Sequence, residues 1–232
     1  MTSAPRDSSP TPYRYLLPGA VVLGIIVACA LYLWTYGAAY LAYWSYEPQE
    51  GDILFQSLPR SPLVQAIEGA THSPYSHCGL VAKENGGWVV LEALRGVEST
   101  PLREFLFRGR NQAFAIYRLK SEQRSHIPLM IENARKFLGR EYDIHYDLDE
   151  ERIYCSELIY KAYLGASGEK LGQLKRLGDL DWRPFQATIE RIEGGPVPTE
   201  RQMITPKHLA EAEQLELVEQ FGYGNAKEQA GP

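Results

Sequence analysis

Cysteine is scarce in this chain: Cys29, Cys78 and Cys155 are its three cysteines in 232 residues. That excludes a disulfide framework. There is no run of basic residues, and the net charge is −5, which argues against a nucleic-acid partner. His-Glu-x-x-His is absent, and His72 and His77, five apart, lack a zinc-type spacing, so no metal site is expected. The acidic cluster Asp143, Asp147, Asp149, Glu150 and Glu151 lacks both the spacing and the glycine of a calcium loop. No glycine-rich phosphate loop is present, and no cofactor is expected. At 44% hydrophobic and 23% charged, the chain is neither collagen-like nor wholly disordered.

The most informative absence is one of charge. Between Arg14 and Glu47 lie 32 consecutive uncharged residues. A bilayer-spanning helix needs roughly 20 apolar residues, so residues 15–46 are predicted to form a transmembrane anchor. Tyr32, Trp34, Tyr36, Tyr40, Tyr43 and Trp44 crowd its second half, and such aromatics favour the membrane–water interface. Arg6 and Arg14 precede the span, whereas Glu47, Glu50 and Asp52 follow it. The positive-inside bias then places the N-terminus in the cytoplasm and the rest outside the cytoplasmic membrane, periplasmic or on the outer face. Two processed alternatives stay open: lipidation at Cys29, whose flank resembles a lipoprotein cleavage box, and signal cleavage near Ala38-Ala39.

Residues 1–14 are rich in Ser, Thr and Pro and are expected to be a disordered cytoplasmic N-terminus. Residues 47–221 are expected to form one domain, and residues 222–232 a flexible tail. Within the domain, DILFQ (52–56), HCGLVAK (77–83), WVVLEAL (88–94), AFAIYRL (113–119) and a segment from Leu215 read as strands. Asn85-Gly86 between the second and third signals a tight hairpin. Helices are predicted at 62–70, 102–107, 127–138, 154–164 and 206–212. The class is α+β, an antiparallel sheet packed on helices.

Cys155 is the candidate nucleophile. It opens a predicted helix and shares the inward face of Leu158 and Ile159. A helix N-terminus supplies partial positive charge and free N–H groups, which favour a thiolate and could hold an oxyanion. A small apolar core residue is the alternative reading. His77 opens a strand and shares a face with Gly79 and Val81. A two-residue loop at Asn85-Gly86 pairs Glu84 with Gly87, hence Gly79 with Glu92. Glu92 then lies diagonal to His77, where it could orient the imidazole. Cys78 alternates to the opposite face and is expected to pack in the core without affecting the chemistry, with a pairing to Cys155 in an oxidising compartment left open.

Taken in order, the blocks GDILFQ, SHCGLV, VVLEAL, LGREYD and YCSELIYKAY resemble the YiiX/YaeF-like family. Its members are NlpC-type, papain-like cysteine hydrolases with a circularly permuted chain. The resemblance runs from Gly51 to Leu164. It implies a permuted papain-like fold, with Cys155 as nucleophile, His77 as general base and Glu92 as the polar third member. Tyr142 and Asp143 match positions that line the family's site, and Ser76, in the His77 block, is carried over with them as substrate-binding. The implied reaction is nucleophilic acyl transfer from an amide or ester. Two substrates are in view: a lipid-linked or acylated one, favoured by an anchor almost contiguous with the domain, and a cell-wall peptide. A non-catalytic binding module of the same fold is the rival from another class. REFLFRG (103–109) and LDWRPFQ (180–186) are candidate linings of an apolar groove.

Overall fold

The computed structural model describes residues 13–223, with side chains from Val21 onward. The expectations for residues 1–12 and for the tail beyond 223 lie outside the described residues. The uncharged run forms one helix, α1 (Tyr13–Ser45), of 33 residues. Its Val21–Ser45 stretch is long and apolar enough to cross a membrane.

The domain is built on a six-stranded antiparallel sheet. Its strands are β1 (Ile53–Gln56), β2 (His77–Glu84), β3 (Gly87–Ala93), β4 (Val97–Pro101), β5 (Phe114–Leu119) and β10 (Leu215–Phe221), in the order β10-β5-β1-β2-β3-β4. Two short pairs stand apart from it: β6 (Glu141–Tyr142) with β7 (Arg152–Ile153), and β8 (Lys175–Arg176) with β9 (Gln202–Met203). The helices are α2 (Pro62–Thr71), α3 (Leu102–Arg108), α4 (Ile127–Arg135), α5 (Cys155–Ser167), α6 (Gln186–Glu193) and α7 (Pro206–Ala210).

Strand alternation sends side chains to two different layers. Phe55, Cys78, Leu80 and Leu91 face Met130 and Ala134 of α4 and Leu158 and Ile159 of α5. Leu54, Val81, Val90, Phe114 and Ile116 face Phe105 and Leu106 of α3 and the last turns of α1. Strand β1, central and covered on both faces, is buried at every position, which is why it reads as an almost unbroken apolar run.

The hairpin joining β2 and β3 has the expected register, with Glu84 opposite Gly87 and Gly79 opposite Glu92. Asn85 (φ 48°) and Gly86 (φ 79°) both take the left-handed conformation, as a two-residue type I′ turn requires.

Helix α1 runs into the domain without a flexible linker. Ala39, Ala42 and Tyr46 are buried. The Tyr46 hydroxyl donates to Asp52 Oδ2 at 2.8 Å, Arg103 Nη2 donates to the Tyr40 hydroxyl at 2.7 Å, and the Tyr40 and Phe107 rings lie 4.7 Å apart. The expected boundary between residues 46 and 47 falls inside this packed region.

Candidate active site

Cys155 is the first residue of α5. The helix starts here because Tyr154 is extended and its backbone N–H is taken by Glu157 Oε2, 3.2 Å away, a carboxylate bond typical of helix starts. The N–H groups of the first turn have no intrahelical carbonyl to bind. They point to the same end of the helix as the Cys155 thiol, which is 2% exposed.

His77 is the first residue of β2, at the rim of the sheet, and is 1% exposed. Its Nε2 bonds Glu92 Oε2 at 2.5 Å, which leaves Nδ1 as the ring nitrogen available to Cys155, with which the imidazole is electrostatically coupled. Gly79 makes room for the diagonal contact. A Cβ there would stand 2.3 Å from Val90 Cγ1, 3.0 Å from Phe105 and 3.3 Å from Glu92 Cβ.

Glu92 is fully buried and carries a second cation. Arg108, at the end of α3, places Nη2 at 2.7 and 2.5 Å from the two carboxylate oxygens. Its guanidinium lies 5.4 Å over the Phe105 ring, whose centroid is 5.6 Å from that of His77. Burial pushes the Glu92 carboxyl up, but His77 and Arg108 outweigh it and hold the group at about 2. Arg108 was not singled out from sequence. The signal was present, since Phe105 and Arg108 are spaced i, i+3 on one helix face.

Burial disfavours a charged His77, yet its interactions with Cys155 and Glu92 prevail and raise it to about 9. Cys155 is driven well below the ordinary thiol range, first by the Cys78 thiol, then by His77 and the Cys78 backbone N–H, against the opposing effect of burial. Cys78 itself is held protonated by burial and by its neighbour. The favoured charge state is therefore a Cys155 thiolate beside a His77 imidazolium, with the Cys78 thiol neutral.

Cys78 packs in the core as expected, but its neighbourhood bears on the thiol of Cys155. Cys78 does lie on the strand face opposite His77, but that is the face α5 covers. Alternation fixed which residues share a face, and not which helix packs there. His77 meets Cys155 because it sits at the strand's first position, at the sheet rim.

The remaining predicted residues surround this centre. Tyr142, in β6 beside Ile153, has its hydroxyl 3.0 Å from that of Tyr146. Its phenol is held well up by burial, with Tyr146 and Cys155 adding to the effect. Asp143 is fully buried, and its two oxygens accept from the backbone N–H groups of His145 (2.9 Å) and Asp147 (2.5 Å). It holds the loop that presents Tyr146 in a left-handed conformation, φ 62°. Ser76 is buried, and its Oγ accepts from Leu58 N–H at 2.9 Å, fixing the rim beside His77.

Tyr146 also lines a cleft. Its walls are mostly apolar, with Leu63, Ala66 and Ile67 of α2, Leu180, Ile189 of α6 and Met203 among them. One end is closed by Arg201, paired with Glu193 at 2.5 Å and Asp147 at 2.8 Å. Of the groove candidates, Leu180 lines this cleft, whereas 103–109 belongs to α3 on the other side of the sheet.

Residues 47–219 match the family described as permuted papain-like amidase enzymes, YaeF/YiiX, C92 family. The chain is 29% identical to uncharacterized protein YiiX of Escherichia coli (strain K12) over 204 residues, covering 85% of this chain and 93% of that one. It also resembles the crystal structure of metalloprotein YiiX from Escherichia coli O157:H7, with a TM-score of 0.68 and 32% identity. That match covers 75% of this chain and 98% of the other. Among the described residues here, no three His, Cys, Asp or Glu side chains gather into a group able to hold a metal ion, so the residues present do not fit one.

Proposed function

This chain belongs to the permuted papain-like amidases of the YaeF/YiiX type, and from that premise we propose that it is a membrane-anchored cysteine hydrolase acting on an acylated, lipid-linked amide or ester. The observation that carries the reading is the buried His77 ring, bonded to Glu92 through Nε2 and electrostatically coupled to the Cys155 thiol at the head of α5. The Cys155 thiolate attacks the scissile carbonyl. N–H groups of the first turn of α5 hold the oxyanion. The His77 imidazolium gives its proton to the leaving amine or alkoxide, and neutral His77 then draws a proton from the water that releases the acyl group. Glu92, pinned by Arg108, keeps the ring in position through both steps. Tyr142 and Tyr146 flank the acyl position.

The apolar cleft beside Tyr146 supports an acyl chain over a hydrophilic wall peptide, since burial of apolar surface is its main offering to a ligand. Ala66→Phe narrows that cleft. The expected result is a KM raised about tenfold for long-chain substrates, the worth of one or two displaced methylenes. KM for short-chain analogues and the rate of Cys155 alkylation should not change. An equal loss on both chain lengths would remove the cleft from the acyl site.

The ion pair is tested by pH. Alkylation of Cys155 by iodoacetamide needs the thiolate alone. It should be flat from neutral to alkaline pH and fall only as acid protonates the depressed thiol. Hydrolysis needs the imidazolium as well. It should fall on the acid side with the thiolate and again above about 9, where His77 loses its proton. An alkylation rate that rises only in the ordinary thiol range would rule out the standing pair.

A further inference from the structure

Helix α1 is longer than a bilayer requires. Its 33 residues span about 50 Å, whereas the hydrocarbon core is about 30 Å thick and takes about 20 residues. About 13 residues must therefore lie outside, and contacts with the domain show at which end. Arg103 bonds the Tyr40 hydroxyl at 2.7 Å and lies 5.6 and 5.5 Å over the Tyr40 and Phe107 rings. The Tyr40 hydroxyl continues to that of Tyr32 at 2.9 Å. Ala39, Ala42 and Tyr46 are covered by the domain. A helix turn carrying Arg103 and Glu104 against it cannot sit in hydrocarbon without burying their charges in lipid. Counting back about 20 residues from Tyr32 reaches the start of α1, beside Arg14.

Resting on the reading of α1 as a retained anchor, we propose that hydrocarbon covers only the stretch from about Tyr15 to about Tyr32. On this placement Tyr32–Tyr43 and α3 form a docking surface at headgroup depth, where Arg103 pairs with a lipid phosphate. Tyr32 and Tyr40 are about 12 Å apart along the helix, and their hydroxyls meet between them, so Arg103 on the Tyr40 hydroxyl lies about 6 Å above Tyr32, within the roughly 5–7 Å polar layer of one leaflet. A cleft lined by Tyr32, Tyr36, Tyr40, Arg103 and Phe107 opens at this level. Tyrosines prefer that depth, and among the described contacts Arg103 spends one donor on Tyr40, leaving others for phosphate. Trp34, Leu41 and Trp44, 89%, 74% and 78% exposed, point away from the domain.

Two measurements on the full chain test this. In the first, Ile26→Cys and Leu41→Cys are each made in a Cys29→Ser, Cys155→Ala background. Each is exposed to a membrane-impermeant maleimide in phosphatidylglycerol liposomes with the domain outward. Leu41→Cys should label as fast as in dodecyl maltoside, and Ile26→Cys at least about tenfold slower in liposomes, because its thiol lies in hydrocarbon. Protection of both positions would overturn the placement. Protein released by alkaline carbonate would overturn the anchor itself, a separate failure.

In the second, hydrogen exchange of α3 is compared in phosphatidylglycerol nanodiscs and in maltoside. Nanodiscs should slow α3 exchange about tenfold, the scale of one charge-assisted hydrogen bond. Arg103→Ala should lose that gain, while β2 and β3 exchange alike throughout. Equal α3 protection in maltoside overturns the docking surface. Equal protection from inorganic phosphate added to maltoside would make it a free-anion site and overturn the lipid assignment.

Discussion

Cys155→Ala is expected to lower hydrolysis by at least about 10⁴-fold with the fold intact, the scale on which an acyl-transfer nucleophile acts. The proposed role leaves no substitute for it. The acyl-enzyme forms on this sulfur, and the only neighbouring thiol, Cys78, is held protonated on the sheet. His77→Ala should cost about as much, and the double variant little more than either single one, because nucleophile and base act as a unit. Cys78→Ala removes a neighbour that favours the thiolate and should cost far less, about tenfold. Rates are measured on a chromogenic acyl ester, with circular dichroism to confirm folding. Full hydrolysis by Cys155→Ala would end the cysteine mechanism. A Cys155→Ala loss without a His77→Ala loss would leave a nucleophile served by another base.

Asp52→Ala is expected to destabilise the domain by about 3–5 kcal/mol, the usual consequence of leaving a buried charge without its partner. Asp52 is fully buried just before β1. It takes Arg118 Nε at 2.6 Å and Nη2 at 2.9 Å, the Tyr46 hydroxyl at 2.8 Å and the Gln49 N–H at 3.0 Å. One carboxylate thus ties the foot of α1 to β5 and to the entry of the sheet. Alanine strands the Arg118 charge, 14% exposed, and the Tyr46 hydroxyl together. The melting temperature in detergent should fall by roughly 10 °C or more for a domain of this size. Asp52→Asn, which keeps a carbonyl for Tyr46, should fall between the two. A change under about 1 kcal/mol would place this group among the weak surface pairs.

The site was legible where chemistry is local. Asn85-Gly86 dictates the turn, the turn dictates the register, and the register puts Glu92 diagonal to His77. What sequence did not show is how the layers stack. Cys78 alternates away from His77 as expected, but only the packing of α5 reveals that this brings it to Cys155. Arg108 was hidden for the same reason, since α3 must be laid against β3 before its last residue meets Glu92.

In the fold, β4 was not predicted because VESTP has no apolar alternation, and as an edge strand it needs little more than Val97 turned inward. Helix α6 was missed as well. None of its residues is fully buried, and it follows a Pro-containing stretch that reads as loop. The chain also leaves the 127–138 helix at Arg135 rather than at Leu138, finishing in turns that bring the Gly139 N–H to Val97 O at 2.9 Å.

The unbroken passage from α1 into the domain changes what concentration means for this protein. With Tyr46 bonded to Asp52 and Phe107 stacked on Tyr40, the proposed anchor and the catalytic centre move as one rigid piece at a fixed height above the leaflet. For the proposed lipid-linked substrate, encounters are then two-dimensional. Turnover should scale with the mole fraction of substrate in the bilayer and stay constant when more vesicles of the same composition are added. In micelles the same substrate would arrive from three dimensions, and its apparent KM there would describe the detergent as much as the protein.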